Sequence, residues 1–434
     1  MDSMTPSKPL CLRDDAERVL RALRDAGHVA YFAGGCVRDL LLGLSPADWD
    51  IATDAPPDRV RSLFRRTQSV GAMFGVILVR EGRSTVEVAT FRTDGAYADG
   101  RRPESVVFGD PLSDAQRRDF TVNGLFLDPL EDRVIDHVGG QGDLAARVLR
   151  AIGDPDARFA EDHLRLLRAV RFAARFGFTY DPATLSAIRR HAPKLARIAP
   201  ERIADELRRM LLLPGVRQRA FGDLWDTTLA GVVFRHLPEK PTAPSLGASL
   251  FLSLPADEPI PFGLAIAAAA LDVRRLGREG GDVRLLLEPH EIRRIDRAMR
   301  QTLRYSNDES DALVGSLDLG LLLQDALPSV AMLRRFLARA HAPAARMMLR
   351  ALASVGQQAA RIAWLEPTLE RLARLEIGPD PLVSGDDLIA AGLSPGRQFK
   401  RILDEVYDAQ LEDRVQTREQ AMQLALSLAS SPSS

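Results

Sequence analysis

The sequence predicts an α+β N-terminal head followed by an all-α remainder, and three observations carry that prediction. Over the first 140 residues, short β-branched or aromatic runs alternate with stretches of helical period. From about residue 141 the apolar repeat falls at three to four residues almost without interruption. Gly, Pro and Asp stand at the ends of these runs, where turns are needed.

Taken in order, HVAYFAGG, WDIAT, GVILV, TVEVATFR and NGLFLDP read as strands. Between them CVRDLLLG and PDRVRSLFRRT carry apolar residues at helical spacing. DHLRLLRAVRFAARFGF, PATLSAIRRHAPKLARI and PERIADELRRMLLL follow as amphipathic helices. The Pro- and Ser-rich stretch 237–263 reads as a linker or irregular crossing, and helices resume at about 264. Residues 381–425 read as a small helical module, and the final SLASSPSS as disordered. The expected divisions are a head (1–140), a helical neck (141–215), a helical body (216–375) and a helical tail (376–434).

The 434 residues suffice for two to four domains, and 46% apolar with 27% charged residues allow a sizeable core. Net charge is −1, so the whole chain does not announce a polyanion binder. Residues 141–220, however, hold 16 Lys/Arg against 9 Asp/Glu, a local surplus suited to phosphates. Two cysteines, Cys11 and Cys36, exclude a disulfide framework or zinc cluster. The N-terminus lacks the apolar core of a signal peptide, and no stretch reaches the ~18 apolar residues of a membrane span. A cytoplasmic protein is expected.

The chemistry concentrates in GGCVRDLLLGLSPADWDIAT, residues 34–53. On a strand, residues i and i+2 share a face, so Asp48 and Asp50 project side by side and Trp49 packs inward. Two such carboxylates repel unless a cation sits between them, and magnesium takes one or two carboxylates plus substrate phosphates. Glu87, in TVEVATFR, is a candidate third ligand from a neighbouring strand. A D-x-D pair alone is commonly just solvated. Gly34 and Gly35 alter the balance, because a glycine bend before a helix lets backbone N–H groups approach a triphosphate. Arg38 lies one turn into that helix, placed to contact a nucleotide. Cys36 reads as a small buried spacer. No Ser/His/Asp arrangement or histidine ligand spacing suggests covalent catalysis or another metal site.

Farther along, Asp162, Arg165, Arg168 and Arg171 fall at i, i+3 spacing, one ridge of a helix beginning beside Glu161. A carboxylate beside a guanidinium presents an acceptor next to a donor. Cytosine and adenine offer an amino donor beside a ring-nitrogen acceptor; guanine and uracil offer the inverse order. Asp162 with Arg165 would therefore pair with C or A and oppose G or U, at a cost of about 1–3 kcal/mol per unsatisfied group.

GGCVRDLLLG followed by DWDIAT resembles the signature of the class II tRNA nucleotidyltransferases (CCA-adding enzymes) and the bacterial poly(A) polymerases, within the polymerase β-like superfamily. TFRTDGAYADGRRPESVVFG resembles that family's flexible loop, and RRDFTVNGLF its ribose-reading motif, with Gly124 in place of the usual Ala. Residues 148–178 resemble the hinge and nucleotide-selecting helix, and the tail from Pro381 the family's tail domain. The resemblance implies a nucleotidyltransferase head, then neck, body and tail. It implies Asp48 and Asp50 as ligands of two Mg2+ ions. Gly35, Arg38, Arg118, Asp162, Arg165, Arg168 and Arg171 would contact the nucleotide, and Asp119 the ribose 2′-OH. CTP and ATP would be substrates, and a tRNA lacking all or part of its 3′ CCA the partner. No His-Asp dipeptide occurs, so the phosphohydrolase domain of some family members is expected to be absent.

Three alternatives remain at this level. A poly(A) polymerase shares the catalytic residues, although VGAMFGVILV (70–79) is closer to the nucleotidyltransferase pattern than to a basic aromatic stretch. A partial enzyme adding only CC or only A is the second, and the loop at 90–109 argues for competence in adding A. A non-catalytic RNA-binding relative is the third, opposed by the intact acidic residues. Arg189, Arg190, Arg197 and Arg208 are candidates for contact with RNA backbone.

Overall fold

The computed structural model describes residues 12–69, 75–95, 106–244, 248–276 and 283–430. Residues 70–74, weighed above for family pattern, and 96–105, the middle of the expected loop, lie outside them. The chain divides into two units, Met1–Met210 with Gly222–Val232, and Leu211–Phe221 with Val233–Ser434.

The first unit begins with α1 (Arg13–Asp25), β1 (Ala30–Ala33), α2 (Gly35–Leu41), β2 (Ile51–Thr53) and α3 (Pro57–Leu63). Strands β3 (Thr67–Ser69), β4 (Val76–Glu81) and β5 (Ser84–Thr90) follow, then the paired β6 (Arg92–Asp94) and β7 (Val106–Phe108). Helix α4 (Pro111–Gln116) leads to β8 (Leu125–Asp128) and β9 (Arg133–Asp136). Seven strands form one sheet in the order β3-β4-β5-β2-β1-β8-β9. Only β2 and β5 run parallel within it. In β5 burial alternates strictly: Val86 and Val88 are enclosed, while Glu87 and Ala89 are half-buried on the other face.

Beyond the sheet come α5 (Gly140–Ala146), β10 (Val148–Leu149), α6 (Pro155–Glu161), α7 (Arg165–Phe176), β11 (Thr179–Tyr180), α8 (Pro182–His191) and α9 (Pro200–Leu211). Their ends are written in the sequence. Asp154 and Asp181 cap α6 and α8 by accepting from Asp156 N–H (3.1 Å) and Thr184 N–H (3.0 Å), each with a proline at the first helical position. Helix α7 ends at Gly177, whose φ of +70° closes the last turn. Its enclosed residues Leu166, Leu167, Ala169, Val170 and Ala173 are the stripe that the sequence period predicts.

Two readings need correction here. Asp48 and Asp50 stand before β2, which begins at Ile51, and are not inside a strand. Asp162 is not on the arginine ridge: it caps α6 in an extended conformation (φ −143°, ψ 106°), and α7 starts only at Arg165. The i, i+3 count ran through a helix break that no Gly or Pro marks. The region after 140 also holds one short parallel pair, β10 with β11.

In the second unit, helices Phe262–Leu276, Asn307–Leu317 and Ala342–Ser354 pack on one another. At Gly263 two of them approach so closely that a Cβ would collide with the Glu309 carbonyl and the Leu313 amide. The irregular stretch before them is anchored by buried Asp272, which accepts from Ser249 Oγ (2.6 Å), Leu250 N–H (2.7 Å) and Phe251 N–H (3.1 Å). Arg217 is fully enclosed and donates to the carbonyls of Pro255 and Glu258, both at 2.6 Å. Arg274, also fully enclosed, lies between Glu239 and Glu291. Near the C-terminus, helices Gly385–Ala390, Arg397–Leu411 and Arg418–Ser430 share a core of Leu388, Ile402, Val406, Ala409, Ala421 and Ala425. The last helix reaches Ser430, so 427–430, expected to be disordered, are helical; 431–434 lie outside the described residues.

Candidate active site

The sheet supplies one wall of the site. After β1 the chain turns through Gly34 at φ +72°, a conformation that L side chains resist. The turn is also crowded, since a Cβ on Gly34 would stand 2.5 Å from Arg118 Nη1. Trp49 is buried, its ring 4.8 Å from that of Phe32 and 5.3 Å from the Arg13 guanidinium. The flanking Asp48 and Asp50 are half-buried. The Asp50 carbonyl accepts from Ala33 N–H at 3.0 Å, so its backbone is already paired with the sheet. The parallel register Ile51 to Val88, extended one residue back, sets Asp50 level with Glu87.

A cavity of about 590 Å³ opens here, and Gly34, Gly35, Asp50 and Glu87 line it. Asp48 is not among its lining residues. Among the described residues, no three His, Cys, Asp or Glu side chains stand close enough to hold a metal ion. The structure thus brings Asp50 and Glu87 together and does not gather Asp48 with them. Half-buried carboxylate oxygens suit magnesium, which keeps waters and substrate phosphates in its shell; they fit a shared site better than an all-protein cage. Cys36 is the buried spacer expected of it: burial, helped by the Asp50 charge, pushes its thiol up to about 12.

Arginines form the opposite wall. Arg38, Arg118, Arg165, Arg168 and Arg171 all line the cavity, with Asp119 and Asp162. So do Arg92, Arg117, Arg175 and Arg202, with Asn123 and Phe172, which the sequence reading did not select. Arg117 and Asn123 flank Arg118 and Asp119 within RRDFTVN and could have been found there; Arg202 carried no local signal. Nine arginines therefore face four carboxylates, an excess that a polyanion would neutralise.

Most of these groups are held by partners. Asp119 accepts from Phe120 N–H and Asn123 Nδ2, both 2.9 Å, and from Arg168 Nε at 2.8 Å. Burial alone would raise its carboxyl, but the Arg168 charge, the Asn123 hydrogen bond and Arg165 outweigh it and bring it down to about 2. Arg171 donates to Glu206 at 2.6 Å and lies 4.4 Å from the Phe172 ring. Arg38, only 4% exposed, donates to Asp39 at 2.8 and 2.6 Å and to Asn123 Oδ1, with its guanidinium 4.4 Å from the Phe176 ring. Arg118 is forked on Asp114 at 3.2 and 2.9 Å. Arg165 turns to Glu161 and to the carbonyls of Arg158 (3.0 Å) and Arg117 (3.2 Å). Asp162 pairs with Arg202 at 3.0 Å, so the carboxylate and guanidinium expected to act side by side are each anchored separately.

Residues 30–150 match the family model described as the poly A polymerase head domain. Residues 177–240 match that of the probable RNA and SrmB-binding site of polymerase A. The CCA-adding enzyme of Limosilactobacillus fermentum is 42% identical over 226 residues, 52% of this chain and 55% of that protein. That of Geobacillus thermodenitrificans is 47% identical over 197 residues, 45% of this chain and 48% of that protein. Over these segments the chain is similar to the tRNA nucleotidyltransferase and poly(A) polymerase family. It spans about half the length of the curated relatives that it matches. Among solved structures of this family, the Bacillus stearothermophilus CCA-adding enzyme in complex with CTP superposes with a TM-score of 0.71 at 28% identity, covering 95% of this chain and 97% of that one. The Thermotoga maritima CCA-adding enzyme complexed with tRNA-CCA shares the fold, with a TM-score of 0.63 at 17% identity over 95% of this chain and 94% of that one. The α+β head with a helical remainder is the family's architecture.

Proposed function

We propose that this protein adds CCA to tRNA 3′ ends from CTP and ATP without a template. The observation that carries the reading is one cavity holding Asp50 and Glu87 on its sheet wall and Asp162, Arg165 and eight further arginines around it. Asp50 and Glu87 on the cavity wall, with Asp48 brought in from two residues before, would hold two magnesium ions, which when bound would activate the tRNA 3′-hydroxyl and neutralise the leaving pyrophosphate. The arginines bind and orient the triphosphate, and Asp119 accepts from the ribose 2′-OH. Asp162 and Arg165 pair with the base edge of C or A. The chain itself supplies position and charge, with no covalent intermediate. Curated relatives named CCA-adding enzyme support this reading, as does the structural likeness to such an enzyme bound to CTP.

The division into head (1–140), neck (141–215), body (216–375) and tail (376–434) belongs to the same proposal, with the helical parts holding the tRNA by shape and backbone. No helix among the described residues is long and apolar enough to cross a membrane, which accords with work on tRNA in the cytoplasm. The deciding experiment incubates the protein with tRNA lacking its 3′ end, CTP and ATP, read at single-nucleotide resolution. Addition that stops at CCA is expected. The match to poly A polymerase head and RNA-binding models favours poly(A) addition as the second reading, and a ladder of adenylates would establish it. Arrest after CC, or addition of A alone, would mark a partial enzyme; tRNA binding without incorporation would mark the non-catalytic relative.

A further inference from the structure

Asp162 lies outside any helix, so local backbone regularity does not fix its carboxylate. Its Oδ1 accepts from Leu164 N–H at 2.9 Å, a bond within the turn joining α6 to α7. Its Oδ2 accepts from Arg202 Nη2 at 3.0 Å, and Arg202 comes from α9, forty residues along the chain. Helix α9 is a firm base for that bond, with Ile203, Leu207 and Met210 enclosed. One turn further, Glu206 receives Arg171 Nε at 2.6 Å. Residues at i and i+4 of one helix thus each grip a cavity side chain of opposite charge. Arg202 itself lines the cavity, and its buried Nη1 has no hydrogen-bond partner.

We propose that Arg202 is a positioning residue for base selection. Resting on the assignment of Asp162 and Arg165 as the base-reading pair, the proposal concerns what keeps acceptor and donor in order. A carboxylate that swivels can follow the N–H of guanine or uracil and accommodate the wrong base. Arg202 pins one oxygen of Asp162, while Glu161 pins Arg165, so the acceptor stays on its own side of the donor. Discrimination then depends on a residue remote in sequence whose role is to hold the reading group in register.

The test uses the full chain and tRNA lacking CCA, with kcat and KM measured for all four nucleoside triphosphates. Arg202→Ala is expected to raise the UTP-to-CTP and GTP-to-ATP ratios of kcat/KM about tenfold, the effect of releasing one charge-assisted hydrogen bond on a reading group. Its tRNA affinity and unfolding temperature should match those of the parent. Arg202→Lys should fall between, since an ammonium restores the charge without the planar fork. Unchanged ratios in Arg202→Ala, with raised ratios in Asp162→Ala, would overturn the proposal. Unchanged ratios in both variants would instead overturn the assignment of Asp162 beneath it. Should Arg202→Ala not fold, Arg202→Gln, which keeps an N–H donor without the charge, carries the same readout: raised ratios support the role and parental ratios remove it.

Discussion

Arg274 in the second unit and Arg165 in the first are both buried arginines whose charge is answered by carboxylates. Arg274 is 0% exposed, enclosed between Glu239 and Glu291; Arg165 is 9% exposed and faces Glu161. Burial and pairing do not separate them. The difference is that Arg165 keeps one side on an open cavity of about 590 Å³ with eight other arginines, whereas Arg274 is surrounded by its own helices and partners. In the function proposed above, Arg274 serves the fold alone, whereas Arg165 borders a void with an excess of positive charge where an anionic ligand would bind.

The comparison breaks first on the sheet wall. Asp50→Ala should lower nucleotide incorporation by about a thousandfold or more, the effect of losing several kcal/mol of metal-assisted stabilisation, with tRNA binding and circular dichroism unchanged. Retained incorporation would refute the assignment of that wall. Next, Arg274→Ala should destabilise the protein by about 3–5 kcal/mol in denaturant titration, because it strands two carboxylates in the interior. Arg165→Ala should cost less stability and instead weaken CTP and ATP; equal unfolding midpoints for the two variants would erase the contrast.

Acid titration sharpens it further. The Asp119 carboxyl sits near 2 in the folded state against an ordinary 3.8, so its stabilisation is fully present above about pH 4 and lost as pH falls through about 2. Asp119→Asn should flatten the acid dependence of stability in that window by about 2 kcal/mol, read from unfolding at stepped pH. Gly34→Ala should cost about 1–2 kcal/mol for its left-handed backbone and displace Arg118, seen as a raised KM for nucleotides. The smallest effect is at Cys36, which should resist alkylation at neutral pH in the native protein, as followed by peptide mass; rapid labelling would show that the thiol is not enclosed.

The glycine bend, the buried Trp49 and the strand carrying Glu87 were legible because each rests on local rules, whereas the strand expected beneath Asp48 and Asp50 was not, since β2 begins only at Ile51. The arginines of α7 were legible for the same reason. What the sequence concealed was partnership. Asp162 counted as a ridge member because i, i+3 spacing cannot reveal that α6 stops at Glu161 and α7 restarts at Arg165. Arg202 looked like any cation in PERIADELRR, since a hydrogen bond across forty residues leaves no trace in spacing. Arg190, singled out as an RNA-facing candidate, turns out to be engaged with Asp156, and Arg189 with the Asp226 carbonyl.

Trp49 has a mechanical consequence. The indole is wedged against Phe32 and roofed by Arg13, and the two acidic residues on either side of it share its backbone. A slip of one residue would drag a carboxylate into the hydrophobic interior and push the largest side chain of the segment into water. The tryptophan therefore acts as a keel: neither neighbouring carboxylate can roll without capsizing the whole stretch.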